Sequence, residues 1–297
     1  MRKKNKVKYN YKLIIYNYIK KIFNKFNLHL SVYSNFLEMI KGNNINFYNF
    51  ILKKYNKNQL QLIGRFLKKI KIVDSGYQLV RIGSNSDGGY LIPDILDQIE
   101  FCFSPGVGKT SSFEDHLKKF NIKSFLADGT VNYNGSHDFI KKNLSSFNDE
   151  NNITVETWVN DKIKDKSNDR LLLQMDIESH EIEVLYNIKI NTLKRFKCIV
   201  IEFHNFHDII NPIALKIYSS IFNKILKTHF IVHMHPNNIS RVLTINKNNI
   251  SNLYEITFIN KKVAKYKKKI NYEMPHKLDE KCCSDLDEIK CPKIFYK

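Results

Sequence analysis

The 297-residue chain has a single tryptophan, six prolines and ten glycines. So little glycine and proline excludes collagen-like and low-complexity architectures. A hydrophobic content of 43% excludes a largely disordered chain. No apolar run approaches the ~20 residues that a membrane-spanning helix needs. The basic start of the chain is not followed by an apolar stretch with a small-residue cleavage site, so no secretory leader is read there. There are five cysteines, and Cys102 and Cys198 sit inside apolar runs, as core residues do. Cys282, Cys283 and Cys291 lack the CxxC pair of a zinc site. This cysteine usage fits a reducing cytoplasm.

Acidic residues are nearly absent from the first quarter. Residues 1–72 carry 17 Lys/Arg against one acid, Glu38, whereas the remainder carries 31 against 28. Most of the formal charge of +19 therefore belongs to this N-terminal segment. Apolar residues recur at helical spacing over 10–40, from Leu13 through Leu28, and a second helical stretch runs from about Phe47 to Ile70. Gly42 and Asn43–Asn44 separate the two. We read residues 1–72 as a basic helical extension suited to an anionic membrane surface, a partner or RNA. Residues 73–297 form the candidate catalytic domain.

From Gly76 the pattern alternates between strand and helix. Strand-like runs occupy 99–103, 123–127, 153–158, 171–176, 198–203, 229–234 and 253–259, with helical stretches at 111–120, 136–147, 180–196 and 212–227. Short apolar strands alternating with helices imply an α/β domain, a mostly parallel sheet covered on both faces. In such sheets ligands bind at the carboxyl ends of the strands, where the strand order reverses.

The residues at those ends carry the chemistry. Ser104-Pro105-Gly106-Val107-Gly108 follows the first run, with glycines that let backbone approach a ligand. It is neither a Walker loop nor a full GxGxxG. Asp128 ends the next run, 22 positions after Gly106, the offset at which an acid accepts from a ribose diol. A turn-forming Asp before Gly129 is the plainer alternative. Later runs end in Asp176-Ile177-Glu178, Glu202-Phe203-His204 and His233-Met234-His235. Three strands thus deliver carboxylates and imidazoles to one edge. Asp87-Gly88-Gly89-Tyr90, ahead of the first run, suits a turn or a lid on the ligand.

The words VRIGSNSDGGYLIP (80–93), FSPGVGKTSSFE (103–114), LADGT (126–130), LLLQMDIESHEIEVL (171–185), IVIEFHNF (199–206), HFIVHMHPNN (229–238) and LYEITFINK (253–261) resemble those of the FkbM-like SAM-dependent methyltransferases, in particular the polysaccharide-cluster type. The resemblance spans about residues 76–262. It implies a Rossmann-like seven-stranded methyltransferase sheet with helices on both faces and S-adenosyl-L-methionine (SAM) as methyl donor. The acceptor implied is a sugar, nucleotide-sugar or glycan hydroxyl in surface polysaccharide synthesis. Carried onto this chain, Gly106 and Gly108 face the methionine part of SAM, Asp128 its ribose, and Asp176 the reacting centre. Two positions depart: Ser104 stands where many methyltransferases have an acid, and Ser179 where glycine is usual.

O-methylation needs a base for the hydroxyl proton. His204 is the first candidate, with Asp176 and His235 beside it at the strand ends. The alternative is Mg²⁺ held by Asp176 and Glu202, with His204 as a further ligand, acidifying a diol. Two other functions compete: an NAD-dependent sugar oxidoreductase or epimerase, which usually carries a fuller GxGxxG and a YxxxK pair, and a non-enzymatic membrane- or RNA-binding protein. The reading favoured is a cytoplasmic enzyme, held peripherally on the inner membrane face through residues 1–72, with no specific nucleic acid as partner.

Overall fold

The structure, a computed structural model, describes residues 57–297 apart from Lys109 and Asn271. The helical reading of 10–40 and the start of the second stretch lie outside the described residues. Helix α1 (Lys57–Lys69) buries Ile63, Phe66 and Leu67 at helical spacing, and Ile70 beyond its end is also fully buried. Phe66 meets Phe222 edge-on at 5.5 Å. Residues 57–69, at the end of the basic segment, therefore share the core of the α/β domain.

A hairpin of β1 (Leu79–Ile82) and β2 (Tyr90–Pro93) comes next. The chain then alternates: β3 (Phe101–Pro105), α2 (Ser112–Lys118), β4 (Lys123–Ala127), β5 (Asp138–Ile140), α3 (Val155–Lys162) and β6 (Leu171–Met175). It continues with α4 (Glu181–Asn187), α5 (Ile190–Leu193), β7 (Phe196–Phe203), α6 (Pro212–Thr228), β8 (His229–Pro236) and β9 (Tyr254–Asn260). Seven strands form the central sheet in the order β8-β9-β7-β6-β3-β4-β5. Every pairing is parallel except those of β9, which runs antiparallel between β7 and β8. This is the Rossmann-like seven-stranded sheet expected. The strand order reverses between β3 and β6, so their carboxyl ends open the crevice where a ligand binds.

Two readings are corrected. Of the expected strand 153–158 only Ile153 is paired, with Leu144. Thr154 accepts from the Thr157 N–H as the N-cap of α3, and Val155, Trp158 and Val159 are buried at helical spacing. Residues 136–147 are not a helix: Asp138–Ile140 pairs with the open edge of β4, and Asn143–Leu144 pairs with Asn152–Ile153. Tertiary pairing of an edge overrides local preference there. The helical stretch 180–196 breaks into α4 and α5, with β7 starting at Phe196.

Helix α6 begins by explicit capping. The Asn211 side chain accepts from the N–H groups of Ile213 and Ala214, and Pro212 occupies the first turn, where its missing donor costs nothing. Asn211→Ala should lower stability by about 1 kcal/mol. Urea unfolding followed by circular dichroism measures this, and an unchanged midpoint would refute the cap's role. No helix of the described residues is long and apolar enough to cross a membrane.

Candidate active site

A cavity of about 840 Å³ opens at the reversal, between the carboxyl ends of β3, β4 and β6. Gly106, directly after β3, has φ +82°. A Cβ there would lie 1.5 Å from the Asp176 carbonyl oxygen, so the two strand ends approach as closely as only glycine permits. The Asp176 N–H donates to the Pro105 carbonyl at 3.3 Å, and the Gly106 N–H to Ala127 at 2.9 Å. These bonds join three strand ends into one rigid rim.

Asp128 follows β4 on the cavity wall. One carboxylate oxygen accepts from the Thr130 N–H (2.7 Å) and hydroxyl (2.6 Å), and the other from the Gly108 N–H at 3.3 Å. The turn-forming role and a place in the cavity therefore coexist in this residue. Gly108 also has a positive φ, +61°, but open space surrounds its missing Cβ.

Asp176 directly follows β6 and lines the cavity. Burial pushes its carboxyl up to about 7, with His204 opposing the shift and Glu178 and Glu181 adding to it. Its Oδ1 is buried without a hydrogen-bond partner, 4.0 Å from His204 Nε2. The His204 ring is anchored through Nδ1 to Glu181 at 3.1 Å, while Nε2 lies 3.4 Å from Glu178. Burial lowers the affinity of this imidazole for a proton. The Glu181 hydrogen bond and the surrounding carboxylates outweigh it and raise the His204 pKa. The turn holding these groups is strained: Glu178 and Ser179 have φ of +52° and +86°. A left-handed residue at 179 is the physical reason that glycine is usual there.

Glu202, at the end of β7, is buried behind this turn. The Tyr90 hydroxyl faces Glu202 at 3.3 Å and Asp176 at 3.5 Å, and Asn237 donates to the other Glu202 oxygen at 3.1 Å. Burial, then the neighbouring carboxylates, push the Glu202 pKa well up. Asp176, Glu178 and His204 are the group whose ligand atoms all lie within 4.8 Å of one another, and Glu202 is not part of it. His235 is brought to the same sheet edge but not to the cavity: it lies buried between Glu255 (3.1 Å) and Glu288 (2.9 Å). Burial opposes its charge, yet the two carboxylates raise it to about 10, so His235 clamps the C-terminal segment as a cation.

Sequence reasoning missed Glu114 and Gln174. Glu114, in the first turn of α2, is 3% exposed yet lines the cavity. Ser104 Oγ lies within hydrogen-bonding reach of both Glu114 Oε1 and Gln174 Oε1. Asp87, Gly88 and Tyr90 also line the cavity, and Tyr90 packs edge-on against Phe113 at 5.8 Å. The wall thus carries Asp87, Glu114, Asp128, Asp176, Glu178 and Glu183, with no lysine or arginine among its described residues.

Residues 106–234 match the family model of the methyltransferase FkbM domain. The match starts at the glycine of the rim and ends inside β8, so it holds the whole β4–β7 side of the cavity. Comparison with curated proteins gave no match. The domain is that of a methyltransferase.

Proposed function

We propose that this methyltransferase domain uses SAM and methylates a hydroxyl oxygen of a sugar, nucleotide-sugar or glycan. The observation that carries the cofactor reading is the charge of the cavity. Six carboxylates and no described lysine or arginine line a site built around the Gly106 rim. Such a wall attracts a ligand with a sulfonium and an ammonium group and repels a dinucleotide pyrophosphate. The rival oxidoreductase reading has no such support. SAM, when bound, would supply an electrophilic methyl group to the acceptor oxygen in line, its sulfur leaving as a thioether.

The remaining work falls to side chains of this domain. Asp128, already oriented by Thr130 and Gly108, presents its carboxylate to the ribose diol. Asp176 takes the acceptor proton on its free Oδ1, and the His204 imidazolium beside it stabilises the carboxylate before the transfer. Glu181, buried and hydrogen-bonded to the ring, fixes the orientation of His204. His235 acts at a distance, holding Glu288 and the C-terminal segment to the sheet edge.

A second reading is favoured by the grouping of Asp176, Glu178 and His204. Those three would hold Mg²⁺, and the cation would acidify a vicinal diol. Titration calorimetry of the full chain with SAM, S-adenosylhomocysteine and NAD⁺ tests the cofactor, with micromolar binding of the first two and none of the third expected. NAD⁺ binding in preference to SAM would overturn the proposal. Assays on EDTA-treated protein separate the two chemistries: unchanged turnover favours the Asp176–His204 base, and loss restored by Mg²⁺ favours the cation. The basic residues ahead of α1, within the segment 1–72, give the enzyme a peripheral site on the inner membrane face near a lipid-linked acceptor.

A further inference from the structure

Of the cavity-wall carboxyl groups that the chemistry above leaves unused, Glu114 is buried whereas Asp87 and Glu183 are exposed. Glu114 is 3% exposed and projects from the first turn of α2 into the wall. Each competing acid has other work. Asp128 accepts from Thr130 and Gly108, Glu183 accepts from Ser145 and Ser146, and Asp87 and Glu178 are exposed to solvent. Asp176 is paired with His204. Among the described residues no lysine or arginine forms an ion pair with Glu114.

The Ser104 hydroxyl carries one proton but faces two oxygens, one on Glu114 and one on Gln174. Amide oxygen and nitrogen are interchangeable assignments. A Gln174 amide turned over gives its N–H to Ser104, leaving the Ser104 proton for Glu114. The carboxylate then accepts from Ser104 and from its own backbone N–H, and keeps further acceptor capacity in a residue that lines the cavity. A buried carboxylate without a cation is costly, and two remedies exist: protonation or a cationic ligand. Burial raises the Glu114 pKa, and the Ser104 bond opposes the shift.

We propose that Glu114, positioned by Ser104, binds the α-ammonium group of the cofactor's methionine moiety. The acid that many methyltransferases place at the end of the first strand is here moved onto the following helix, and Ser104 at the strand end becomes its anchor. The inference rests on the reading of the cavity as a SAM site. It assigns a residue that neither the glycine rim nor Asp128 identifies.

The test titrates parent and Glu114→Gln full-length protein with two ligands, S-adenosylhomocysteine, which has the ammonium, and 5′-methylthioadenosine, which lacks it. The expected result is a loss of at least about tenfold in affinity for S-adenosylhomocysteine, with 5′-methylthioadenosine binding within about twofold of the parent. Equal affinity of parent and variant for S-adenosylhomocysteine overturns the assignment while leaving the SAM reading intact. Equal losses for both ligands also overturn it, since Glu114 would then support the cavity as a whole. A parent that binds neither ligand sinks the SAM reading and the assignment with it. Should the glutamine variant fail to fold by thermal unfolding, Glu114→Asp replaces it, with the same selective loss expected as the charge recedes by one methylene. Adding Ser104→Asp to Glu114→Gln returns the acid to the strand end and should recover part of the lost selectivity.

Discussion

Asp176→Asn should reduce methyl transfer by about 100- to 10,000-fold, the range for removing a positioned general base, while the domain stays folded. The geometry makes the prediction specific. Asp176 lines the cavity, and its Oδ1 is buried with no hydrogen-bond partner, so that oxygen has no donor to displace before it receives a proton. Its pKa of about 7 matches a base working near neutrality. The parent rate should therefore rise with pH through about 7 as the carboxyl ionises, and the asparagine variant should lack that limb.

Stability provides the control. The folded Asp176 carboxyl is raised above its ordinary value of 3.8, so the native state holds the proton more tightly than the unfolded chain. Its contribution to stability is then lost as pH rises from about 4 to about 7. Above pH 7 a neutral asparagine removes that cost, and the variant should melt no lower than the parent. Thermal unfolding at pH 8 alongside a methyl-transfer assay checks both halves. Parent-like turnover by the variant would remove Asp176 from the reaction. A collapsed melting temperature at pH 8 would contradict the account of its protonation.

What the sequence made legible follows from how locally each feature is determined. Strand β6 reads as a buried strand because all five of its residues are buried, and β4 was located to the residue. Edge strand β5 was illegible because its identity comes from the open side of β4, not from its own three half-buried residues. The rim was legible because Gly106, Asp128 and Asp176 all follow apolar runs. Tyr90 and Glu114 were not ranked with them, because neither follows a strand end. Their importance arises only when the hairpin and α2 fold over the strand reversal, bringing positions 90, 114 and 176 to one cavity. His233 and His235 share the face of β8 that meets Asp279 and Glu288, a face set by a C-terminal segment about 45 to 55 residues away.

The two rim glycines look equivalent in sequence and should behave very differently. Gly106→Ala places a methyl group 1.5 Å from the Asp176 carbonyl oxygen, a backbone atom that cannot swing aside. Relief requires parting the ends of β3 and β6, which breaks the Asp176-to-Pro105 hydrogen bond and displaces the base. A left-handed backbone adds about 1–2 kcal/mol for any residue with a Cβ. Together these should cost about 3–5 kcal/mol, or roughly 6–20 °C in melting temperature. Binding of S-adenosylhomocysteine should disappear with it. Gly108→Ala carries only the left-handed term, since nothing lies within 4 Å of its added Cβ, and should retain binding with a drop of a few degrees. Unfolding and calorimetry on the pair decide the matter. If Gly106→Ala bound and melted like Gly108→Ala, the close approach of β3 and β6 could not be what shapes the site. If the two separate as expected, the first glycine is required by contact with the catalytic strand and the second by backbone conformation alone.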